Sequence, residues 1–438
     1  MMAPSLLPVR ELASLSAPER RRIVERENEL GHAMDAVRPI LADVRERGDA
    51  AVRDWTKRFD GVERDLRVEP EEFAAARKRV DAKVVRALKA SIAAVKKVSL
   101  ATKPRSKTLI PVPGVRVREE WVPMRRAGCY APGGKAAYPS TVVMTVVPAV
   151  AAGVEEIFVA SPPGKDGQVP ASVLVAAERS GATGVFAMGG SQAIGAFAYG
   201  TATVPRADVI VGPGNAYVTA AKFLVSDSVA IDSLAGPSEL LLLADDSANV
   251  EWIVHDLLAQ AEHSEDAKAL LVTPSRRVAE RVAVAVDAAV VTAARRGVLE
   301  TALRSHSHIL VARDMREAVA FAEDYAAEHV QVMTRNAEKL AAKFRTSGTV
   351  FVGAHATAAF GDYATGANHT LPTGGAARFQ SVLGVQTFMR RSFTQFVSAA
   401  GARRMAPTVD AIGRAEGLEA HANAALARAA KPEGRRRG

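Results

Sequence analysis

The sequence predicts an α/β protein with two doubly wound, Rossmann-like parallel-sheet domains and small helical N- and C-terminal extensions. With 438 residues, of which 48% are hydrophobic, the chain is long enough to bury more than one core. Aromatic residues make up only 5%, whereas Ala, Val and Leu abound, which suits helices layered on buried parallel strands. Short apolar strands also alternate with helical segments along two long stretches.

The N-terminal part is predicted to be helical from residue 11 to residue 103. Its apolar residues recur at spacings of three and four, as in Val37, Ile40, Leu41 and Val44. Gly48-Asp49 predicts a helix start by capping, and Phe59-Asp60-Gly61 predicts the turn that ends this helix.

A first α/β unit is predicted after a proline-broken extended stretch at 110–122. The glycine- and proline-rich loop at 128–134 marks a domain boundary. Beyond it the pattern predicts strands at 157–160, 185–188 and 209–211, and helices at 171–179, 192–199 and 216–225. This alternation is typical of a doubly wound βα series.

A second α/β unit is predicted after Pro237. Its strands are expected at 240–243, 270–272, 309–311 and 350–352, with helices between them. From about residue 379 onward a helical run leads into a Gly/Arg/Pro-rich tail, whose end we expect to be frayed.

Charge and hydropathy favour a protein that acts on small molecules. The net charge of +9 is spread out and partly terminal, at 20–22 and 435–437, and no basic stripe is interleaved with aromatic residues. We therefore expect no nucleic-acid partner, although a small anionic ligand fits. No signal-peptide pattern and no apolar run of membrane-spanning length occurs, so we expect neither export nor a membrane partner.

The single cysteine, Cys129, excludes an internal disulfide and a cysteine-rich metal cage. A reducing cytoplasm is therefore the expected compartment, and any metal must use nitrogen and oxygen ligands. Cys129 could bind an aldehyde as a thiohemiacetal. We favour an inert, buried role, because no histidine adjoins it to form a thiolate pair.

Three glycine-bearing loops could line a cofactor cleft. The strand 208–211 runs into Gly212-Pro213-Gly214-Asn215 and a helix, which is a partial dinucleotide fingerprint whose backbone N–H groups could meet a phosphate. Tyr217 replaces its third glycine, and Pro213 lacks an N–H. A turn that needs positive φ explains the same residues. The loops at 130–134 and 189–192 enter helices of the same unit, at strand ends where ligands of such sheets bind.

Polar residues near a helix end could begin a metal site. Gln260 and His263 share one face at the end of the predicted helix 250–262, with Glu262 and Glu265 beside them. One imidazole and one amide oxygen suit a borderline metal. A polar surface turn would contain the same residue types.

Three further segments carry candidate chemistry. Glu328-His329, at a helix-to-strand junction, could act as water activator and general base or form a surface charge pair. The polar run 361–375 has little hydrophobic periodicity, which predicts a functional or disordered loop. Glu416 and His421 could reach one ligand only if Gly417 marks a helix start.

In this order, the segments closely resemble the histidinol dehydrogenase family, from about residue 46 to residue 421. The most specific blocks are Tyr130-Ala131-Pro132-Gly133-Gly134, Val211-Gly212-Pro213-Gly214-Asn215, Ala235-Gly236-Pro237-Ser238-Glu239, Gln260-Ala261-Glu262-His263, Glu328-His329, and Gly361-Asp362-Tyr363 with Asn368-His369.

The resemblance implies a cofactor set and the residues that bind it. It implies one zinc ion per subunit, held by Gln260, His263, Asp362 and His421, the last contributed across an intertwined homodimer with shared active sites. It implies NAD contacts at Tyr130, Gln192 and Asn215. The implied substrate contacts are Ser238, Gln260, His263, Glu328, His329, Asp362, Glu416 and His421.

The resemblance also implies a reaction and a domain organisation. L-Histidinol would be oxidised through histidinaldehyde to L-histidine with two NAD, in the final steps of histidine biosynthesis, with Glu328 and His329 as the catalytic residues. The implied parts are an N-terminal helical extension (1–25), a main domain carrying zinc and substrate (26–129 with 239–382), an NAD-binding domain (130–238) and a C-terminal extension that reaches the partner subunit (383–438).

Three other functions remain open at this point. A relative of the same fold could oxidise another alcohol, such as a dihydroxypropane sulfonate, but Glu416 suits a cationic substrate and a sulfonate would call for Arg or Lys there. A zinc hydrolase would use metal-bound water and need no nucleotide. A non-catalytic interaction protein would tolerate the loss of His329.

Overall fold

The computed structural model describes residues 5–25, 30–133, 137–233 and 236–430. Three parts of the sequence that the predictions above use lie outside these residues, namely Gly134, Ala235 and the basic tail at 435–437. The chain divides into two compact units, of which the first comprises 1–102 and 124–388 and the second 103–123 and 389–438.

The N-terminal region is helical as predicted, with one added strand. In chain order it contains β1 (Val9–Glu11), a 3-10 turn (Leu12–Ser14), α1 (Ala17–Glu25), α2 (Leu30–Arg47), α3 (Asp49–Asp60), α4 (Pro70–Arg79) and α5 (Ala82–Thr102). The predicted turn after α3 is confirmed, because Gly61 has a φ of 71° and its N–H donates to the carbonyl of Lys57. Strands β2 (Lys107–Leu109) and β3 (Val115–Pro123) follow, so part of the predicted extended stretch is confirmed.

A five-stranded parallel sheet follows, and it contains the three predicted strands of the βα series. Two strands were not predicted, at 126–130 and 230–231, and the first shows that the predicted loop 128–134 is wrong for residues 128–130. Its elements are β4 (Arg126–Tyr130), α6 (Pro139–Ala152), β5 (Glu156–Ser161), α7 (Ala171–Ser180), β6 (Gly184–Ala187), α8 (Gly190–Tyr199), β7 (Val209–Val211), α9 (Ala216–Val225) and β8 (Ala230–Ile231). The strand order β6-β5-β4-β7-β8 means that the chain leaves β4 on one side and returns on the other. The topological switch point therefore lies between β4 and β7.

Helix α2 covers part of this sheet. Its residues Val37, Leu41 and Val44 are buried in one core with Phe186 and Phe197, and the helix contacts α8 and α9. Residues predicted for the main domain thus pack on the sheet of the other predicted domain. The domain boundaries given above remain a prediction.

A six-stranded parallel sheet forms from the second βα series. Its elements are β9 (Glu239–Ala244), α10 (Val250–Ala261), β10 (Lys268–Thr273), α11 (Arg276–Val290), α12 (Arg296–His306), β11 (His308–Val311), α13 (Met315–Tyr325), β12 (His329–Met333), α14 (Ala337–Ala341), β13 (Thr349–Val352) and α15 (Ala358–Tyr363). The strand order is β1-β11-β10-β9-β12-β13. All four predicted strands are confirmed, and each face of the sheet is covered by its own apolar cluster, as the apolar runs require.

The C-terminal region differs most from prediction. Two 3-10 turns (Ala376–Arg378 and Val385–Phe388) lead to β14 (Met389–Val397), α16 (Ala399–Ala415) and α17 (Glu419–Ala429). Strand β14 pairs antiparallel with β3, and β3 with β2, so this extension is not purely helical. The partners are far apart in sequence, which explains why local patterns did not reveal the sheet. None of the helices in the described ranges combines the length and the apolar composition that crossing a membrane requires.

Candidate functional site

The three predicted cofactor loops meet at the carboxyl edge of the five-stranded sheet. Tyr130 ends β4, Gly189 follows β6 and Gly212 follows β7. The Gly190 N–H donates to the Tyr130 hydroxyl at 3.2 Å. Burial raises the pKa of Tyr130 to about 12, so the phenol keeps its proton and can donate it to a ligand. The loops after β4 and β7 flank the switch point, where ligands of such sheets bind.

Gly212 adopts a backbone conformation that only glycine can provide here. Its φ is 120°, and a Cβ atom at this position would lie 2.1 Å from the carbonyl oxygen of Tyr130. The alternative explanation of this motif, a turn requiring positive φ, is therefore correct as a description of the backbone. The close approach also keeps the loops after β4 and β7 in contact, so the turn shapes the switch point itself.

Asn215 caps helix α9 and changes how this turn could bind a phosphate. Its Oδ1 accepts hydrogen bonds from the N–H groups of Tyr217 and Val218, both at 3.1 Å. These two N–H groups, which the sequence suggested for a phosphate, are thus satisfied within the chain. The Nδ2 amino group remains as the part of Asn215 that can donate to a ligand.

Gln192, in the first turns of α8, has a fully buried amide. Neither its Oε1 nor its Nε2 has a hydrogen-bond partner among the residues that the structure describes. A buried amide without partners is unfavourable by about 1–3 kcal/mol, and a water molecule or a ligand in contact with it would supply the missing bonds.

A second group of candidate residues lies at the amino edge of the six-stranded sheet. Glu328 precedes β12 and His329 begins it, and both are about 5% exposed. The Glu239 N–H donates to Glu328 Oε2 at 2.8 Å, and His329 Nδ1 lies 3.1 Å from the Glu239 carbonyl oxygen. Since a carbonyl only accepts, Nδ1 carries the proton and Nε2 of the neutral ring is left as the basic nitrogen. A surface charge pair, the alternative raised from sequence, is wrong because both groups are buried.

A second histidine at the amino edge of the same sheet provides a comparison for His329. Burial alone would lower the pKa of His329, but Glu328 and Asp362 raise it to about 9. His308 begins β11 of the same sheet, and there burial lowers the pKa to about 4, with the nearby positive charges of Arg10 and His306 acting in the same direction. The charge of the imidazole at this edge is therefore set by its acidic neighbours.

Asp362 lies in helix α15, so the predicted loop 361–375 is wrong for its first three residues. Thr357 accepts a hydrogen bond from Ala359 N–H and caps this short helix. His369 donates from Nδ1 to the Asp362 carbonyl oxygen at 3.0 Å, and burial lowers the pKa of His369. His369 belongs to the Asn368-His369 motif, and the sequence assigns it no role. Its contact places it beside Asp362.

Gln260 lies in the last turn of α10 and the exposed His263 two residues after its end, at the same edge. His263 donates from Nδ1 to the backbone carbonyls of Ala259 and Gln260 at 3.0 and 3.2 Å, which leaves Nε2 for a ligand. Histidines that bind a metal through one ring nitrogen commonly donate a hydrogen bond from the other ring nitrogen, as Nδ1 of His263 does here. Gln260 is buried, and its Nε2 has no partner in the described part of the chain.

Asp256, which the sequence reasoning missed, connects the elements that carry these residues. One turn before Gln260 on α10, it accepts hydrogen bonds from Gln331 Nε2 at 2.6 Å and Thr357 Oγ1 at 2.7 Å. Gln331 belongs to β12 and Thr357 caps α15. Asp256 therefore fixes α10, β12 and α15 relative to one another, and its burial raises its pKa.

Of the remaining predicted residues, Ser238 lies at the same amino edge, next to Glu239, whereas Glu416 and His421 do not belong to this sheet. Ser238 directly precedes β9, and its carbonyl accepts from Lys268 N–H at 3.0 Å. Glu416 and His421 belong to the second unit, where both are exposed. Gly417, with a φ of 73°, separates α16 from α17, which begins two residues later at Glu419 with Leu418 as its N-cap.

Cys129 is buried in β4, and burial raises the pKa of its thiol to about 12. The inert role favoured from sequence agrees with this pKa, because a thiol that stays protonated is a poor nucleophile.

Comparisons with known proteins agree with the resemblance seen in the sequence. A family described as histidinol dehydrogenase matches residues 24–429. The chain is 40% identical to a histidinol dehydrogenase of Methanosarcina mazei, over 96% of this chain and 97% of that protein. It is 43% identical to a histidinol dehydrogenase of Geobacillus kaustophilus, over 91% and 94%. The crystal structure of histidinol dehydrogenase from Elizabethkingia anophelis superposes with a TM-score of 0.92 at 32% identity, covering 98% of this chain and 99% of that one.

Proposed function

The chain belongs to the histidinol dehydrogenase family of oxidoreductases, and we propose that it oxidises L-histidinol through histidinaldehyde to L-histidine with two NAD and one zinc ion per subunit. The observation that carries the chemical part of this proposal is the buried Glu328–His329 pair beside Asp362. His329 offers a proton acceptor and Glu328 offers a carboxylate, both within one buried site. Two successive oxidations of one carbon require both groups.

The residues at the end of α10 and in α15 suit zinc. We propose that Gln260, His263 and Asp362 bind it together with His421 of the partner subunit. His263 has Nδ1 engaged and Nε2 available, and Gln260 presents a buried amide. Among the described residues no three His, Cys, Asp or Glu side chains are grouped to hold a metal. The proposed set includes an amide and a ligand from a second subunit.

The carboxyl edge of the five-stranded sheet suits NAD. The buried amide of Gln192 has no partners within the described ranges, and a ligand in contact with it would supply them. The Tyr130 hydroxyl and the Asn215 Nδ2 are further donors at the same edge. The Gly212 turn brings the main chain close to any ligand at the switch point. Tyr130, Gln192 and Asn215 are therefore our proposed NAD contacts.

The chain's own residues would handle the protons. When bound, zinc would hold the imidazole and amine nitrogens of the substrate, and NAD would accept one hydride in each of two oxidation steps. His329 would take the hydroxyl proton at Nε2. Glu328 would then remove a proton from the water that attacks the aldehyde, and the resulting hydrate would undergo the second oxidation.

The pKa of His329 bears on this role. At a pKa of about 9 the ring is protonated at neutral pH and cannot act as a base. Glu328 contributes most to the raised pKa, and Asp362 contributes a smaller part, which a cation held by Asp362 would offset. The bound metal and substrate would thus move His329 toward the range in which a general base works.

We propose that carboxylates accept hydrogen bonds from the N–H groups of the substrate's imidazole and amine. Glu328, Asp362 and Glu416 supply these carboxylates, with Ser238, Gln260, His263, His329 and His421 as the other contacts. Glu416 favours histidinol over an anionic dihydroxypropane sulfonate. We further propose a cytoplasmic homodimer in which 383–438 reaches the partner subunit, 130–238 binds NAD, and 26–129 with 239–382 carries zinc and substrate.

A metal analysis combined with a histidinol-dependent assay tests the proposal. We expect purified protein to contain one zinc per subunit and to release two NADH per histidinol converted to histidine. Ester or amide hydrolysis without NADH formation would instead favour a zinc hydrolase. Equal turnover of a sulfonate alcohol would remove the argument from Glu416.

Mixed dimers test the shared site. His263→Ala and His421→Ala are each expected to inactivate the homodimer. If each site draws His263 and His421 from different subunits, a mixed dimer contains one intact site. Random exchange of the two variants should then restore about a quarter of the wild-type activity, as expected for a two-fold symmetric dimer. No recovery despite exchange would show that one subunit supplies both residues.

A further inference from the structure

A buried ion pair lies next to the proposed NAD site, and neither the sequence analysis nor the proposed function assigns it a role. Lys222 belongs to α9 and Asp232 follows β8, and each side chain is about 2% exposed. Resting on the proposed function, we infer that this pair is a positioning device that sets the Gly212 turn for NAD binding.

Both residues bind the main chain of Gly212. The Gly212 N–H donates to Asp232 Oδ2 at 2.7 Å, and the Lys222 ammonium donates to the Gly212 carbonyl oxygen at 3.1 Å. The ammonium also contacts Asp232 Oδ1 directly. Gly212 is thus held through its N–H on one side and its carbonyl on the other.

The Lys222–Asp232 pair connects the Gly212 turn to two separate elements. Lys222 extends from α9, the helix that Asn215 caps, and Asp232 follows the edge strand β8. Gly212 itself contacts the Tyr130 carbonyl so closely that no Cβ fits. Gly214 and Asn215 lie two and three residues after Gly212, and the rigid Pro213 precedes them, so the contacts of Gly212 with Tyr130, Lys222 and Asp232 together constrain their position.

Stability alone does not explain such a pair. Moving two charges out of water is costly, and apolar residues of similar volume often replace buried pairs without loss of stability. Two charge-assisted bonds to one glycine are instead a way to hold a specific backbone conformation. We therefore assign the pair to turn geometry, and the affinity for NAD is the property it should control.

The test compares variants by NAD affinity as well as by turnover. K222M/D232L removes both charges and both bonds to Gly212, whereas K222M/D232N keeps an acceptor for the Gly212 N–H. The control is R126M/E156Q, which removes a pair at the opposite, amino edge of the same sheet, where Arg126 Nε and Glu156 Oε2 are 2.5 Å apart. The dissociation constant for NAD is measured by titration calorimetry on the zinc-loaded protein, with the melting temperature and the KM values alongside.

We expect K222M/D232L to melt near the wild-type temperature but to bind NAD at least about tenfold more weakly, since charge-assisted bonds are lost. The KM for NAD should rise in parallel, with kcat at saturating NAD and the KM for histidinol nearly unchanged. K222M/D232N should show a smaller loss, and the control none.

Several results would overturn the inference. One is an unchanged NAD affinity in K222M/D232L, and another is an equal loss in the control. If K222M/D232L does not fold, K222M/D232N serves as the test variant. Unchanged NAD affinity in K222M/D232N then refutes the positioning role of the pair. The NAD affinity of the wild type distinguishes failure of the inference from failure of the proposed function. If the wild type binds NAD, unchanged affinity in the variants refutes the inference alone. If the wild type binds no NAD, the proposed function and the inference are both overturned.

Discussion

The two parallel sheets of the first unit present their candidate residues at opposite edges. The five-stranded sheet does so at its carboxyl edge, where α8 and α9 begin, and the six-stranded sheet at its amino edge, where α10 and α13 end. Helix N-termini carry partial positive charge and favour anions, whereas helix C-termini favour cations. A dinucleotide with its phosphates suits the first edge, and a metal ion with a cationic substrate suits the second.

Loss of the proposed cation at the amino edge should have the largest effect. His263→Ala removes Nε2 as a ligand, so we expect zinc to fall well below one per subunit and turnover to be abolished, while the oligomeric state persists. Metal analysis after gel filtration measures this. His255→Ala, on the same helix and exposed, is the control and should keep its zinc. Stoichiometric zinc in His263→Ala would refute the assignment.

The second test asks whether proton transfer is confined to the six-stranded sheet. His329→Ala should lower kcat by about 10²- to 10⁴-fold, the usual contribution of a general base. The NAD dissociation constant should not change, since NAD is assigned to the other sheet. His308→Ala removes the histidine that begins β11 and should leave kcat near wild type. A joint loss of NAD affinity in His329→Ala would break the separation between the edges.

The third test perturbs the carboxyl edge of the five-stranded sheet. Gly212→Ala introduces a methyl group 2.1 Å from the Tyr130 carbonyl oxygen at a φ of 120°. We expect NAD to bind about 10- to 100-fold more weakly, and the free energy of unfolding to fall by about 1–3 kcal/mol. Gly353→Ala is the control, because Gly353 follows β13 with a positive φ but open space around it. Thermal melts report the loss of stability that strain causes, and calorimetry reports whether the turn still supports NAD binding.

The fourth test concerns the pH dependence of turnover. Glu328 and Asp362 raise the pKa of His329, so its proton is lost only as the pH rises, at about 9 without bound metal. A base must be deprotonated, and kcat/KM should therefore increase with pH, about tenfold per unit on the acidic limb. The midpoint should lie below 9 in the zinc enzyme. A flat profile between pH 6 and 9 would contradict the role of His329.

The sequence predicted most strands of both sheets, because buried parallel strands are short apolar runs between glycine turns, but it missed β1, β4 and β8. It also identified Gly212, Gln260 and the Glu328-His329 pair from local residue types. Their roles, however, came from the family resemblance, since spacing alone left a surface turn and a charge pair open.

What the sequence could not show depends on contacts between distant segments. Asp256 joins Gln331 and Thr357, which are 75 and 101 residues away, and no local pattern indicates such partners. Lys222 looked like an ordinary helix residue until the fold placed it against Gly212 and Asp232. The raised pKa of His329 likewise requires Asp362, which only the tertiary structure brings close.

Strand β1 has a practical consequence for producing this protein. Leu7 is fully buried, Leu6 N–H donates to Asp287 at 2.8 Å, and residues 9–11 pair with β11 along the edge of the six-stranded sheet. A recombinant version shortened past this strand would expose the backbone of β11 as a new open edge, which is a template for aggregation. Any truncation at this end should therefore stop before Leu6, and poor solubility of a shorter version would reflect an uncovered strand.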